Sequence, residues 1–191
     1  MQGLHLVRRN EKRIPSPPGE APNSMEHLRW RCMVKRIPLT RGEFALVDDA
    51  DYEWLSERKW WYRDCGANAY AGSQTRKNNV IRYLYMHREI MQPPRGMDVD
   101  HKNGNGLDNR RCNLRVCTRA QNLHNGQPLG GSSRHKGVSW SKYAKKWQAY
   151  IDVHGKRKHL GYFINEQDAA RAYNEEALQN FGEFARINII D

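Results

Sequence analysis

The run KWQAYIDV at 146–153 constrains the fold more than any other stretch of the chain. Trp147, Ala149, Ile151 and Val153 fall on one face of an extended chain, and Lys146, Gln148, Tyr150 and Asp152 fall on the other. Such a strand needs apolar cover on one side only. GVSW (137–140) and KHLGYF (158–163) read as its neighbours, with HGK (154–156) as a tight turn. The cover comes next in the chain. Asn165 is expected as an N-cap with Asp168 as its capping-box partner, a helix runs to about Asn180, and Gly182 ends it. Ala169, Ala170, Tyr173 and Ala177 recur at helical spacing, and their size lets a helix lie close on a sheet. A three-stranded antiparallel sheet packed on one helix is therefore expected for residues 134–191.

The uncovered face of that sheet is basic. Between Arg134 and His159 there are eight Lys or Arg residues and one acid, Asp152. The whole chain of 191 residues has 32 Lys plus Arg against 21 Asp plus Glu, a net charge of +11, which suits a polyanionic partner. No segment approaches the ~18 apolar residues of a membrane-spanning helix. The opening MQGLHLVRRNEKR lacks the apolar core of a signal peptide. A soluble, intracellular protein with no membrane partner and no small-molecule substrate is expected.

Taken in order, KGVSW, KWQAYI, HLGYF, EQDAARAYNEEAL and GEFARIN resemble the ethylene-response-factor (apetala-two) DNA-binding domain across nearly the whole module. The resemblance implies a sheet that reads the major groove of double-stranded DNA. Its contact positions correspond to Ser139, Ser141, Lys146, Tyr150, Asp152, Arg157 and His159. Several of these carry Arg, Glu or Trp in plant members, so the implied binding mode transfers and the target sequence does not. Trp140 and Lys142 are added as DNA contacts from strand position alone.

The remaining chain divides by composition. Residues 1–24, ending in IPSPPGEAPNS, are expected to be a disordered leader; Met25 is an alternative start. Residues 26–92 alternate β-like runs (FALVDD, NAYAGS, VIRYLYMHREIM) with a short helix expected at Asp51–Trp60, carrying Tyr52, Leu55 and Lys59 on one side. This small α+β region is expected to bury a Trp54, Trp60 and Trp61 cluster. A loop, PLGGSS at 128–133, is the expected linker. The fold class is α+β.

Between these parts lies MDVDHKNGNGLDNRRCNLRVCTRAQNLHN (97–125). Its order is strand, loop, strand (NLRV, 113–116) and helix, with Thr118 as an N-cap. Two Asn-Gly steps favour positive φ and a sharp reversal. Cys32, Cys65, Cys112 and Cys117 form no CxxC pair, so structural zinc is not expected. Hydrolysis of a phosphodiester needs a base for water and a divalent cation at the phosphate. Magnesium accepts one or two oxygen-bearing side chains plus water and phosphate. Asp100 and an amide on the helix can supply them, with His101 beside them as base.

The stretch VDHKNGNGLDNRRCNLRVCTRAQN resembles the HNH endonuclease ββα-metal motif, in particular its phage-type group with Asn at the last motif position. YMHREIM upstream belongs to the same pattern. The resemblance implies an HNH nuclease domain over 25–127, with its ββα core at about 97–125. It implies His101 as general base, Asn113 orienting it, and Asp100 and Asn122 as ligands of Mg²⁺ or Mn²⁺. His124 or Asn125 takes the ligand role if the helix register differs. His87 is read as core support or a phosphate contact. Arg110, Arg111, Arg115 and Arg119 are expected on backbone phosphates.

Together the two resemblances imply a homing-like DNA endonuclease working in the cytoplasm of a bacterial or phage-infected cell. The rival readings are a DNA-binding regulator with an inactive HNH remnant, and an RNA-binding or RNA-cleaving protein.

Overall fold

The computed structural model describes residues 34–66, 68–128 and 130–190, which belong to one compact unit spanning 33–191. The expected leader at 1–24, the alternative start at Met25 and Cys32 lie outside the described residues. The chain is α+β. Among the described residues, no helix is long and apolar enough to cross a membrane.

Strand β1 (Val34–Pro38) pairs antiparallel with β2 (Phe44–Asp48), and helix α1 (Asp49–Ser56) follows. The helix starts two residues earlier than expected and leaves Lys59 outside. A second antiparallel sheet places β4 (Ala69–Lys77) between β3 (Trp61–Asp64) and β5 (Val80–Tyr85). Asn78 and Asn79, both at positive φ, turn the chain from β4 to β5, as two-residue hairpins require. The β-like run VIRYLYMHREIM splits: the strand ends at Tyr85 and Met86–Met91 form helix α2, which buries Met86, His87 and Ile90.

These elements share a core built on Ile37, Val47, Leu55, Trp60, Ala71, Met86, Val99 and Leu114. The expected tryptophan cluster is corrected here. Trp60 is 2% exposed, and its indole donates to the Leu55 carbonyl oxygen at 2.8 Å. Trp54 is 41% exposed; it precedes Leu55 on α1 and therefore faces away, donating to Asp51 at 3.3 Å. Trp61 is half-buried, its indole lying over the bare Cα of Gly72.

Next come β6 (Asp98–His101), β7 (Leu114–Cys117) and helix α3 (Arg119–His124). The two strands pair antiparallel, with His101 opposite Leu114. Thr118 is the N-cap and forms a full capping box with Gln121: its hydroxyl accepts from the Gln121 N–H at 3.2 Å, and Gln121 Oε1 accepts from the Thr118 N–H at 2.8 Å. The T-x-x-Q spacing carries that signal.

The loop between β6 and β7 departs from the expectation that both Asn-Gly steps need positive φ. Only Gly104 adopts it, at +74°. Gly106 is required for space, because a Cβ there would lie 2.3 Å from the Ala69 carbonyl oxygen and 2.6 Å from the Tyr70 ring. Strand β2 holds the loop from the other side: Leu46 N–H donates to the Leu107 carbonyl, and Asn109 N–H to the Leu46 carbonyl, both at 2.8 Å.

The C-terminal sheet has β9 (Lys146–Val153) between β8 (Val138–Ser141) and β10 (Lys156–Phe163). Helix α4 (Glu166–Phe181) buries Ala169, Ala170, Tyr173 and Ala177 against Ala149 and Ile151. Asn165 is the N-cap residue, but its side chain makes no cap hydrogen bond. Its amide donates instead to the Asp168 carboxylate at 3.3 Å. The carboxylate, also held by Arg171 at 2.6 Å, draws the amide outward, so the expected capping box does not form.

Candidate functional site

Asp100 and His101 end strand β6, and both open onto one cavity of about 250 Å³. Neighbouring strand residues normally point to opposite sides of the pleat. Here the strand stops at His101, and the chain turns at once, with Gly104 N–H donating to the His101 carbonyl at 2.8 Å. Asp98, Asn122, Asn125, Tyr70, Tyr85, His87, Arg88 and Arg119 line the same cavity. Asp98 and Asp100 share a face by their spacing of two, a second carboxylate that sequence reasoning missed.

Asp100 is 4% exposed. Arg115 brings two N–H groups to its Oδ2, Nε at 2.8 Å and Nη2 at 2.7 Å. The Asn125 amide donates to Oδ1 at 2.9 Å and also to the His101 carbonyl at 2.8 Å. Among the described residues only Asn125 is recorded on Oδ1, so that oxygen is the one more open to a ligand. Asn122, the ligand expected on α3, donates to Asp98 Oδ2 at 3.4 Å. Asn122 and Asn125 are three apart on the helix and so reach the cavity together. The structure thus places both amides at the site and puts Asn125 on Asp100.

His101 is 6% exposed, and its Nε2 has no hydrogen-bond partner among the described residues. Burial pushes the imidazole below its ordinary value; the Asn109 amide and the Asp100 and Asp108 carboxylates oppose that push. Asn109 is fully buried beside the ring, yet its geometry falls short of a hydrogen bond and both its amide atoms stay unpartnered among the described residues. Asn113 differs from its expected role of touching His101. Its Oδ1 accepts from the Asn103 N–H at 3.0 Å and its Nδ2 donates to the Asp108 carbonyl at 2.8 Å. It sits just past the end of the β6–β7 ladder and closes the loop that follows His101.

His87, 9% exposed, packs edge-on to His101 with ring centroids 4.9 Å apart, and its Nδ1 is also unpartnered among the described residues. Burial, then the neighbouring His101 and Arg88, drives its pKa from 6.5 to about 3. Between those values the unfolded chain binds a proton that the folded chain refuses. Stability therefore falls as pH drops below 6.5, by up to about 1.4 kcal/mol per pH unit for this group. Thermal melts between pH 7 and pH 4 are expected to show a shallower pH slope for His87→Phe than for the wild type.

The arginines expected on phosphates are committed elsewhere. Arg110 donates twice to Asp108, at 2.7 Å each. Arg111 forms the same fork with Asp51, 2.7 Å and 2.7 Å, while its N–H donates to Asp48. Arg115 holds Asp100. Three guanidiniums thus brace the motif against its own carboxylates. Arg119, with 77% of its side chain exposed, remains at the cavity mouth 3.4 Å from Asp98. Cys117 is a buried free thiol, pushed up to about 11 by burial and by Asp100 and Asp98, and Cys112 is an exposed free thiol.

The end of helix α4, the residues after it and Lys136 before β8 are docked on this site. Arg115 lies over the Phe184 ring at 4.0 Å and donates to the Glu183 carbonyl. His124 stacks on Phe181 at 3.7 Å. Lys136 donates to the carbonyls of His124 at 2.6 Å and Gly126 at 2.8 Å, capping the end of α3. On the polar face of the sheet, register brings together Lys146, Gln148, Tyr150, Arg157 and His159. Tyr150 and His159 are 5.1 Å apart, and Asp152 holds Arg157 in a fork of two 2.9 Å bonds. A bulge after His159 adds Tyr162, 4.7 Å from His159, to that face. Sequence reasoning missed it; Gly161 was the signal. Trp140, expected on DNA, pairs with Trp147 on the side of the strand that the helix covers and is 39% exposed. Lys142 is exposed in the turn after β8.

The donor set fits a hard divalent cation: two carboxylates and two amides converge on one cavity, beside an imidazole nitrogen without a partner among the described residues. No group of three or more His, Cys, Asp or Glu side chains at metal-binding spacing occurs among the described residues. Comparison with known proteins bears on the same segment. The family model for the HNH endonuclease matches residues 92–124, enclosing β6, its loop, β7 and α3. An uncharacterized HNH endonuclease of Acanthamoeba polyphaga mimivirus is 32% identical over 152 residues, 79% of this chain and 78% of that protein. Protein 3.8 of Escherichia phage T7 is 35% identical over 65 residues, 34% of this chain and 54% of its own length. No solved structure matches the chain. With the Asp100–His101 pair, its closed Asn loop and Asn122 lying inside the matched segment, the chain belongs to the HNH endonuclease family and is a nuclease.

Proposed function

We propose that the protein is a metal-dependent endonuclease that hydrolyses phosphodiester bonds of double-stranded DNA. The observation that carries this reading is the shared cavity of Asp100 and His101, with the imidazole Nε2 buried and unpartnered. A divalent cation, Mg²⁺ or Mn²⁺, would polarise the phosphate and stabilise the departing oxygen. Asp100, through Oδ1, with Asn122 or Asn125, would hold it. His101 takes the proton of the attacking water at Nε2, and a ring pushed toward its neutral form by burial is ready to do so. Asn113 keeps the turn after His101 closed, and Arg119 meets the phosphate backbone at the cavity mouth.

The two parts would divide the labour, with residues 25–127 cutting and 134–191 holding DNA. The polar face carrying Lys146, Tyr150, Arg157 and His159 supports the second role, in the manner of the ethylene-response-factor domain. Duplex DNA and structured RNA incubated with Mg²⁺, Mn²⁺ or EDTA test the proposal. Cleavage of the duplex with either metal and none with EDTA is expected. Preferential cleavage of RNA, or cutting that survives EDTA, overturns it.

A further inference from the structure

The β3–β5 sheet has one face in the core, through Tyr62, Ala71 and Ser73, and one face that His87 and His101 meet at Tyr70 and Tyr85 and that is exposed toward the β4–β5 turn at Gln74, Arg76, Ile81 and Tyr83. Register puts Trp61, Arg63, Gln74, Arg76, Ile81, Tyr83 and Tyr85 on this second face. Its chemistry is unusual for a solvated face. Tyr83 is 62% exposed and Ile81 49%. The Arg63 guanidinium lies 5.5 Å from the Tyr83 ring and 5.2 Å from the Tyr85 ring. Among the described residues no carboxylate pairs with it, in contrast to Arg110, Arg111 and Arg115. Arg76 adds charge on the same side, and Lys77 and Arg82 add it on the other side of the β4–β5 hairpin, against Asp64 alone across 61–85.

This face is continuous with the cleavage cavity. Tyr70 and Tyr85 both line the cavity and meet edge-to-face at 6.0 Å. Tyr70 lies 5.8 Å from His101. An unbroken series of ring contacts therefore runs from His101 through Tyr70 and Tyr85 to Arg63 and out to Tyr83. A guanidinium 5.5 and 5.2 Å from two tyrosine rings, with no carboxylate paired to it among the described residues, has N–H donors to offer a phosphate, and the exposed Tyr83 offers a ring to a sugar or base.

We propose that this partly exposed sheet face is a DNA track, holding the duplex that flanks the cleaved bond on one side, with Arg63 and Arg76 on backbone phosphates and Tyr83 against the strand. The track is separate from the C-terminal sheet, and its adjacency to the cut rests on the nuclease reading of the cavity. Charge complementarity and continuity with the cavity favour DNA over a second copy of the chain pairing along the β5 edge.

The full-length chain, binding a fluorescent duplex in EDTA so that no strand is cut, provides the test. Arg63→Ala/Tyr83→Ala is expected to weaken binding about tenfold or more, since single stacking and phosphate contacts reach that size. Arg63→Ala/Arg76→Ala is expected to lower the slope of log K against log salt by about two, one per phosphate lost. Footprints should shorten on one side of the cut only. Arg76→Ala/Tyr83→Ala changes exposed side chains alone and repeats the test should the first pair melt early. Unchanged affinity, slope and footprint in folded variants overturn the track. So does unchanged DNA binding with a lost dimer in light scattering, which assigns the face to a second copy. Absence of metal-dependent cutting by the wild type, with the tenfold loss intact, overturns the nuclease reading and leaves the track as a DNA-binding face.

Discussion

Asp100→Asn is expected to abolish metal-dependent cleavage while the protein remains folded. The substitution keeps the size of the side chain and an oxygen for the Arg115 donors, which reach Oδ2 at 2.7 and 2.8 Å. It removes the negative charge that a hard cation needs. The electrostatic contribution of a catalytic metal is several kcal/mol, which corresponds to a rate loss of about a thousandfold or more. Loss of the charge also leaves the Arg115 guanidinium, 11% exposed in its side chain, with the exposed Glu183 carboxylate at 3.5 Å in place of its close buried partner. A moderate fall in melting temperature should accompany the loss of activity. Single-turnover cleavage and a thermal melt on the same preparation check both effects. Activity within tenfold of the wild type would remove Asp100 from the metal site.

The second large effect is expected at Arg115. Arg115→Met retains an apolar stem of similar length and removes the charge, leaving the Asp100 carboxylate, 5% exposed in its side chain, with only the Asn125 amide. Breaking one side of a buried ion pair costs about 3 kcal/mol or more. The same change removes the stack on Phe184 and the bond to the Glu183 carbonyl, so the nuclease motif loses part of its contact with the C-terminal part. Denaturant unfolding should show the loss as a lowered midpoint, and cleavage should fall because Asp100 is no longer held. Arg115→Lys is not expected to restore either property, since an ammonium cannot present two N–H groups to Oδ2 in the same plane while lying on the Phe184 ring. A fully stable Arg115→Met variant would contradict this account of the docking.

How much of this was legible beforehand depends on the reach of each signal. Alternation in KWQAYIDV and the Ala169, Ala170, Tyr173, Ala177 stripe are local patterns, and each side chain lies on the face they indicated. The strand ending in Asp100 and His101, the turn after it and the Thr118 cap are local as well. What escaped are partners distant in sequence. Asp51 and Arg111 are 60 residues apart, and nothing near either one announces the pair. Arg110, Arg111 and Arg115 look like phosphate hands until their carboxylates are found. Gly106 looked like a turn residue and is needed for the approach of Ala69 and Tyr70. The face of Trp140 depends on the pairing partner of β8, which is known only from register. At the site itself the motif spacing identified Asn122. The contact between Asn125 and Asp100 depends on how α3 is seated, and Lys136, from the C-terminal part, caps the end of that helix.

The most direct test of the central claim is plasmid nicking by the wild type and His101→Ala, each with Mg²⁺ and with EDTA, alongside a DNA gel shift. The account predicts that the wild type nicks with Mg²⁺ and not with EDTA. It predicts that His101→Ala still shifts DNA but cuts slower by about a hundredfold to ten-thousandfold, the range for loss of a general base. Equal cutting by His101→Ala, or an intact plasmid with the wild type in both Mg²⁺ and Mn²⁺, would contradict it.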